Sequence, residues 1–193
     1  MAEKEILVIV AHPDDETIWA GGTLLKIKLK KTIIALCRKK DKDRFPRFEK
    51  ACKILNSKGK ISDLDDSEEG YYKKISKQEV INRILKITKK KKYDCLYTHG
   101  KNGEYNHIRH VEVHRIMNEM LEEGLLSAKK VFFFSYKKIG KICNINPNAD
   151  KLIKLKKPHF KMKKQLIQKI YGFKKGSFEE GCCRNVEAFD IKR

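Results

Sequence analysis

The run Ile6-Leu7-Val8-Ile9-Val10 admits few structures. It is short, rich in β-branched residues and free of polar positions, which suits a strand buried on both faces. Pro13 ends it, because proline has no N–H for a ladder and keeps the residue before it, His12, extended. The next stretch, Thr17 to Leu25, reads as a helix. The same change from strand to helix recurs downstream. Strands are predicted over residues 31–37, 61–64, 93–98 and 130–136. Helices are predicted over 15–29, 44–55 and 76–88, and over the stretch carrying Val111, Val113, His114, Met117 and Leu121. Lys58-Gly59-Lys60 reads as a turn. Such alternation implies an α/β fold: a mostly parallel sheet with helices on both faces, that is, a Rossmann-like three-layer α/β/α sandwich. Gly21-Gly22 would weaken an isolated helix, so the backbone there is expected to pack closely against the sheet or against a site.

Beyond Lys138 the pattern weakens. A loop over 144–150, a basic helix over 158–171 and a short strand or extended tail at 186–189 are expected. No linker or internal repeat divides the chain. Its 193 residues suffice for one domain with a sizeable core, spanning 1–193.

Hydrophobic residues make up 40% of the chain, against disorder. The net charge is +20, from 45 Lys plus Arg against 25 Asp plus Glu. Such a field attracts anions. The lysine clusters, such as Lys39-Lys40 and Lys89-Lys90-Lys91-Lys92, sit at predicted element ends and lack interleaved aromatics, so a specific nucleic-acid surface is not expected. The N-terminus has no signal-peptide pattern, and no apolar stretch approaches the roughly 20 residues that span a bilayer. A soluble, cytoplasmic protein is expected, without a membrane span. Cys37, Cys52 and Cys95 fall in predicted strands or a helix, and Cys182-Cys183 has no CxxC spacing. All six cysteines are therefore read as reduced thiols, and a cysteine-ligated zinc is not expected.

Two stretches carry chemistry. Ala11-His12-Pro13-Asp14-Asp15-Glu16 places one imidazole and three carboxylates in five positions at the carboxyl end of the first strand. That edge is where open α/β sheets bind ligands. His and carboxylate together suit a zinc ion, and a second carboxylate suits proton transfer. Part of the cluster, Glu16 above all, also serves the first turn of a helix. The second stretch, His99 to His110, follows the fourth strand. His107 and His110 are three apart, on one helical face near its start. His114 continues that face and is expected to pack. His99 is expected to shape the loop or sit at the site's edge. If the first and fourth strands are neighbours, the two stretches meet over the topological switch point. The acidic segment 63–72 reads as a loop able to fold over that site.

These residues resemble the LmbE/PIG-L family of zinc-dependent N-deacetylases. The first stretch is similar at every position to that family's AHPDDE signature. Gly103-Glu104-Tyr105-Asn106-His107-Ile108-Arg109-His110 resembles its GEYGHxxH pattern, with Asn106 where glycine is common. The helix from Arg44 to Leu55 resembles one that begins with arginine and ends in Leu-Gly, with Asn56 in place of the glycine and Arg47 where glutamate is usual. The likeness runs from about Glu5 to Tyr136. It implies that His12, Asp15 and His110 hold one zinc per chain, with another divalent metal as the alternative. It implies Asp14 as general base, a protonated His107 as oxyanion stabiliser, and Arg44, or Arg47, as the substrate contact. The implied substrate is a small N-acetylated sugar conjugate of the N-acetylglucosamine type, with an anionic one suggested by the charge. Hydrolysis of another N-acyl amide is an alternative, as is a non-enzymatic nucleotide- or nucleic-acid-binding domain. Against the last, the first strand–helix turn lacks GxGxxG, and its acidic groups repel phosphate. Assembly into a homo-oligomer is left open.

Overall fold

The computed structural model describes residues 4–66, 75–88 and 92–192. Strand β1 (Glu5–Val10) leads into helix α1 (Asp15–Lys26), then β2 (Lys30–Cys37), α2 (Arg44–Ile54), β3 (Lys58–Leu64), α3 (Lys77–Ile87) and β4 (Lys92–Thr98). A short turn α4 (Gly103–Asn106) precedes α5 (Ile108–Glu122) and β5 (Ser127–Phe134). The first five strands are parallel, in the order β3-β2-β1-β4-β5. β1 is therefore central, and every one of its residues is buried.

Alternate residues of the sheet feed two cores. Ile6, Val8 and Val10 face Trp19 and Leu24 of α1 and Phe48 and Ala51 of α2. Leu7 and Ile9 face Val80 and Ile84 of α3 and Val113 and Met117 of α5. This is the expected three-layer sandwich, with the period-two side-chain alternation of strands dividing the layers.

Several local expectations give way. Lys58-Gly59-Lys60 is not a turn but the start of β3. Gly59 allows this, since a Cβ there would stand 2.8 Å from the sulfur of Cys52 on α2. The first helix stops at Lys26, three residues early. The fifth strand ends at Phe134, and the chain turns into a separate hairpin, β6 (Tyr136–Ile139) with β7 (Ile142–Ile145). The expected loop thus shortens to the residues between Ile145 and β8 (Lys151–Lys154).

The C-terminal segment completes the sheet. Helix α6 (Lys157–Gln165) runs into a π-helical turn (Leu166–Ile170), and a short α7 (Phe178–Cys182) precedes β9 (Val186–Ile191). β9 pairs antiparallel with β5, and β8 pairs antiparallel with β9. Glu187 of β9 is fully buried and accepts hydrogen bonds from the backbone N–H groups of Gly22 (2.8 Å) and Thr23 (2.7 Å), and from Lys163 Nζ (2.7 Å). Lys163, on the helix expected to be basic, is thus an interior cation. Gly22 leaves room for Leu155 against α1, since a Cβ would lie 2.3 Å from a methyl of that side chain. All six cysteines are free thiols. No helix among the described residues is long and apolar enough to cross a membrane.

Candidate metal centre and active site

The chain leaves β1 for β2 and β3 on one side and returns to β4 on the other, so the switch point lies between β1 and β4. There the two loops are tied together: the Ala11 N–H donates to His99 Nε2 at 2.9 Å. His12 Nδ1, His110 Nε2 and Asp15 Oδ2 then converge. Their separations are 3.1 Å between the imidazoles and 3.3 Å from each imidazole to the carboxylate.

The outward atoms of these groups are already engaged. Asp66 Oδ1 is 2.8 Å from His12 Nε2, and Glu104 Oε2 is 2.6 Å from His110 Nδ1. Trp19 Nε1 donates to the other oxygen of Asp15 at 3.1 Å. With Nε2–H of His12 on Asp66 and Nδ1–H of His110 on Glu104, deprotonation of the remaining ring nitrogens would present two lone pairs to one point. Carboxylate partners of this kind orient metal-binding histidines.

The donor set fits a divalent transition metal. Zinc bonds of about 2.0–2.2 Å place neighbouring donors of a tetrahedron about 3.3–3.5 Å apart. The triangle therefore approximates one tetrahedral face without rearrangement. His107 offers a further imidazole in a group with His12 and His110.

Charge is strongly redistributed here. Burial opposes the imidazolium of His12, but Asp15 and Asp66 outweigh it and raise the pKa to about 9. Burial is likewise outweighed at His110, which Asp15 and Glu104 raise to about 10. Burial opposes ionisation of Asp15, yet the facing histidines, His110 first, hold it well below the usual carboxylate range. Asp14 goes the other way: burial, then the charge of Asp15, push it well above that range despite Arg44. Two adjacent carboxylates thus have opposite tendencies.

His107 keeps its expected place but differs from expectation in charge. It is the N-cap of α5 with an extended backbone, and its ring stacks on that of His110 with centroids 4.5 Å apart, so the two share a face at the helix start. Burial, then the cationic His110 and His12, lower its pKa to about 3. Its surroundings favour a neutral ring rather than an imidazolium. Its Nδ1 is buried without a hydrogen-bond partner among the described residues.

A cavity of about 240 Å³ opens beside the centre, lined among others by His12, Asp14, Asp15, Arg38, Arg44, His107, Phe178 and Glu179. Arg44 Nη1 donates to Asp14 Oδ2 at 2.7 Å, and its guanidinium lies 4.6 Å from the Phe173 ring centroid. Arg47 is not part of the cavity wall. It donates to Asp43 Oδ1 at 2.7 Å and to the carbonyl of Ile170 at 3.1 Å. Of the two arginines, only Arg44 reaches the site. His99 is fully buried beneath it, stacked on His110 with centroids 3.8 Å apart. His114 packs as expected, and its Nδ1–H donates to the His99 carbonyl at 2.9 Å.

Sequence reasoning missed Asp66, Arg38, Trp19, Phe178 and Glu179. Asp66 lay within the acidic loop, but nothing in its spacing singled it out. Residues 67–72 of that loop lie outside the described residues, as do Lys89 to Lys91. Glu104 stood inside the second pattern without an assigned role. Its φ of 59° is one of four positive non-glycine values around the site, with Asp14 (113°), Arg38 (73°) and Asn106 (66°). Such strain gathers where surrounding structure enforces it. Asn106, and Asn56 at φ 50°, stand where the family pattern has glycine. Asparagine is the side chain that tolerates the left-handed region best, so both departures preserve the backbone.

The solved structure of the conserved protein TT1542 from Thermus thermophilus is similar in fold, with TM-score 0.68 and 16% identity over 97% of this chain and 94% of that one. An uncharacterised protein, L374 of Acanthamoeba polyphaga mimivirus, is 22% identical over 168 residues, covering 77% of this chain and 73% of the relative. The family model described as PIG-L, GlcNAc-PI de-N-acetylase, matches residues 7–121. That stretch holds both chemistry-bearing loops, and the chain belongs to the PIG-L family.

Proposed function

We propose that this chain, as one domain, is a metal-dependent hydrolase that removes the acetyl group from an N-acetylglucosamine-type sugar conjugate, releasing acetate and an amino sugar. Family membership supports the coarser reading, a deacetylase-like hydrolase. The observation that carries the metal dependence is the triangle of His12, Asp15 and His110, with edges of 3.1–3.3 Å. These three would hold the ion, zinc by preference for this donor set. A bound zinc supplies Lewis acidity, lowering the pKa of water to about 7 and polarising an acyl oxygen.

The remaining roles fall to the residues around it. Asp14 borders the cavity, and its raised proton affinity suits a group that must accept a proton. It takes a proton from the attacking water and returns it to the departing amine. His107, neutral and lining the cavity, donates an N–H toward the acyl oxygen as negative charge develops there. Arg44 holds Asp14 and presents its remaining donors to the substrate.

The test is release of free amine from N-acetylglucosamine, its 1-phosphate and a set of N-acetyl amino acids, with and without chelator. Chelator-sensitive turnover of the sugars is expected. Turnover confined to the amino acids would replace the sugar with another amide. No turnover of either class, or turnover indifferent to metal, contradicts the proposal.

A further inference from the structure

The backbone of Asp14 is unusual for a non-glycine residue, with φ of 113° and ψ of −32°. Such a conformation persists only where its surroundings enforce it. Its carbonyl starts α1, accepting from the N–H groups of Thr17 (2.8 Å) and Ile18 (2.9 Å). Its side chain is held by Arg44. Its own N–H is held by Glu16 Oε2 at 3.1 Å. Glu16 is completely buried, and its other oxygen accepts from Thr17 Oγ1 at 2.6 Å and from the hydroxyl of Tyr171 at 2.7 Å.

Tyr171 comes from outside the residues the family model matches. It follows directly on the π-helical turn, whose last carbonyl, Ile170, accepts from Arg47. The Tyr171 N–H closes back on Leu166 at 2.9 Å. Single π-type turns tend to mark functional positions. Here the extra residue in the turn delivers a phenol, 3% exposed, to a carboxylate 155 positions away. Arg47, which does not reach the cavity, instead fastens that turn to α2.

From this geometry we infer that Tyr171 and Glu16 are positioning residues for Asp14: the phenol fixes the Glu16 carboxylate, which fixes the Asp14 amide and so the direction of its side chain. The inference rests on Asp14 being the base, as proposed above. It gives the C-terminal segment a part in turnover beyond covering the core. A carboxylate with three good donors has one orientation. Losing the phenol frees Glu16 to rotate, and Asp14 then leaves its strained backbone state more often.

The test uses the full chain with Tyr171→Phe, which removes one oxygen and keeps the ring, and with Glu16→Gln, which sets an amide donor against one of the donors Glu16 now accepts. Displacement of a catalytic group by about 1 Å can cost up to roughly 100-fold, so kcat on N-acetylglucosamine is expected to fall roughly 10- to 100-fold with KM and metal content unchanged. Exchange of the Asp14 amide hydrogen, followed by NMR in the same variants, should quicken roughly 10-fold while Val8 in β1 keeps its protection. The exchange measurement does not depend on which substrate is used. A fall in melting temperature with kcat and Asp14 exchange unchanged means a structural role only and overturns the inference. Loss of metal from Tyr171→Phe also overturns it, by placing the effect on Asp15. If Asp14→Asn keeps activity, the functional reading fails. If Asp14→Asn is inactive while both positioning variants match the wild type, this inference alone fails.

Discussion

The floor of the cavity and its outer wall are built in different ways. The floor consists of His12, Asp15 and His110, from two loops, and the outward atom of each group is held by a buried or half-buried partner: Asp66, Trp19 and Glu104. The wall comes from Arg38, Arg44 on α2 and Tyr105, joined by Phe178 and Glu179 near the C-terminus. Its polar groups are more open to solvent; the Arg44 side chain is 32% exposed. A floor so fully engaged tolerates little substitution and suits a fixed chemistry. A wall that joins residues inside the family match to Phe178 and Glu179 beyond it can change at those two positions without disturbing the held groups of the floor.

The largest expected effect tests whether the C-terminal half also supports the floor's scaffold. Glu187→Ala would leave the Lys163 ammonium and the N–H groups of Gly22 and Thr23 buried without their partner. Breaking one side of a buried pair costs about 3–5 kcal/mol. Urea unfolding should show a loss of that size. A loss under about 1 kcal/mol, the level of an exposed pair, would show that β9 does not hold α1.

Next is the floor's response to pH. Without metal, His12 stays protonated up to about 9 and His110 up to about 10. A metal must displace both protons, so its apparent affinity should rise with pH across the range from neutrality to about 9, by about tenfold per proton displaced per pH unit. The same raised values set the stability of the metal-free chain. Because the folded pKa exceeds the ordinary histidine value of 6.5, the imidazolium contribution is complete below that pH and is lost as pH rises through about 9 to 10. Thermal melts of metal-free protein should therefore decline over that interval. Metal affinity that does not change with pH would contradict the assignment of His12 and His110.

A smaller effect sharpens the contrast between floor and wall. Glu104→Gln keeps the shape around His110 but weakens its anchor, and changes to such outer partners typically cost about 10–100-fold in metal affinity. Phe178→Ala should leave metal affinity alone and alter KM. Equal effects of the two on metal titration would erase the distinction.

Much of this was legible in sequence because it is local. The β-branched run of β1, the proline after it and the strand–helix alternation follow from backbone and burial rules acting over a few residues. His12, Asp15 and His110 could be grouped because parallel strands bring their carboxyl ends to one edge. Asp66 and Tyr171 could not, because their roles depend on tertiary closure across 54 and 155 positions. Gly59 read as a turn since its real function, leaving room for Cys52, is visible only once α2 covers β3. The antiparallel return of β9 was equally hidden. Glu187 in the middle of that strand looks like a solvent position until Lys163 is found facing it. Arg47 and Arg44 are three apart on one helix, and only packing separates the one at the cavity from the one at the π-helical turn.

The central claim is that two neighbouring carboxylates divide the work, Asp15 holding the metal and Asp14 moving the proton. Metal content and turnover measured together on Asp14→Asn and Asp15→Ala test it directly. Asp14→Asn should keep about one metal per chain and lose roughly 10²–10⁴-fold in kcat, the scale of a general base. Asp15→Ala should lose both metal and activity, and excess zinc should restore part of its activity but none to Asp14→Asn. Metal loss in Asp14→Asn with retention in Asp15→Ala would reverse the roles, and full activity in both would contradict the site itself.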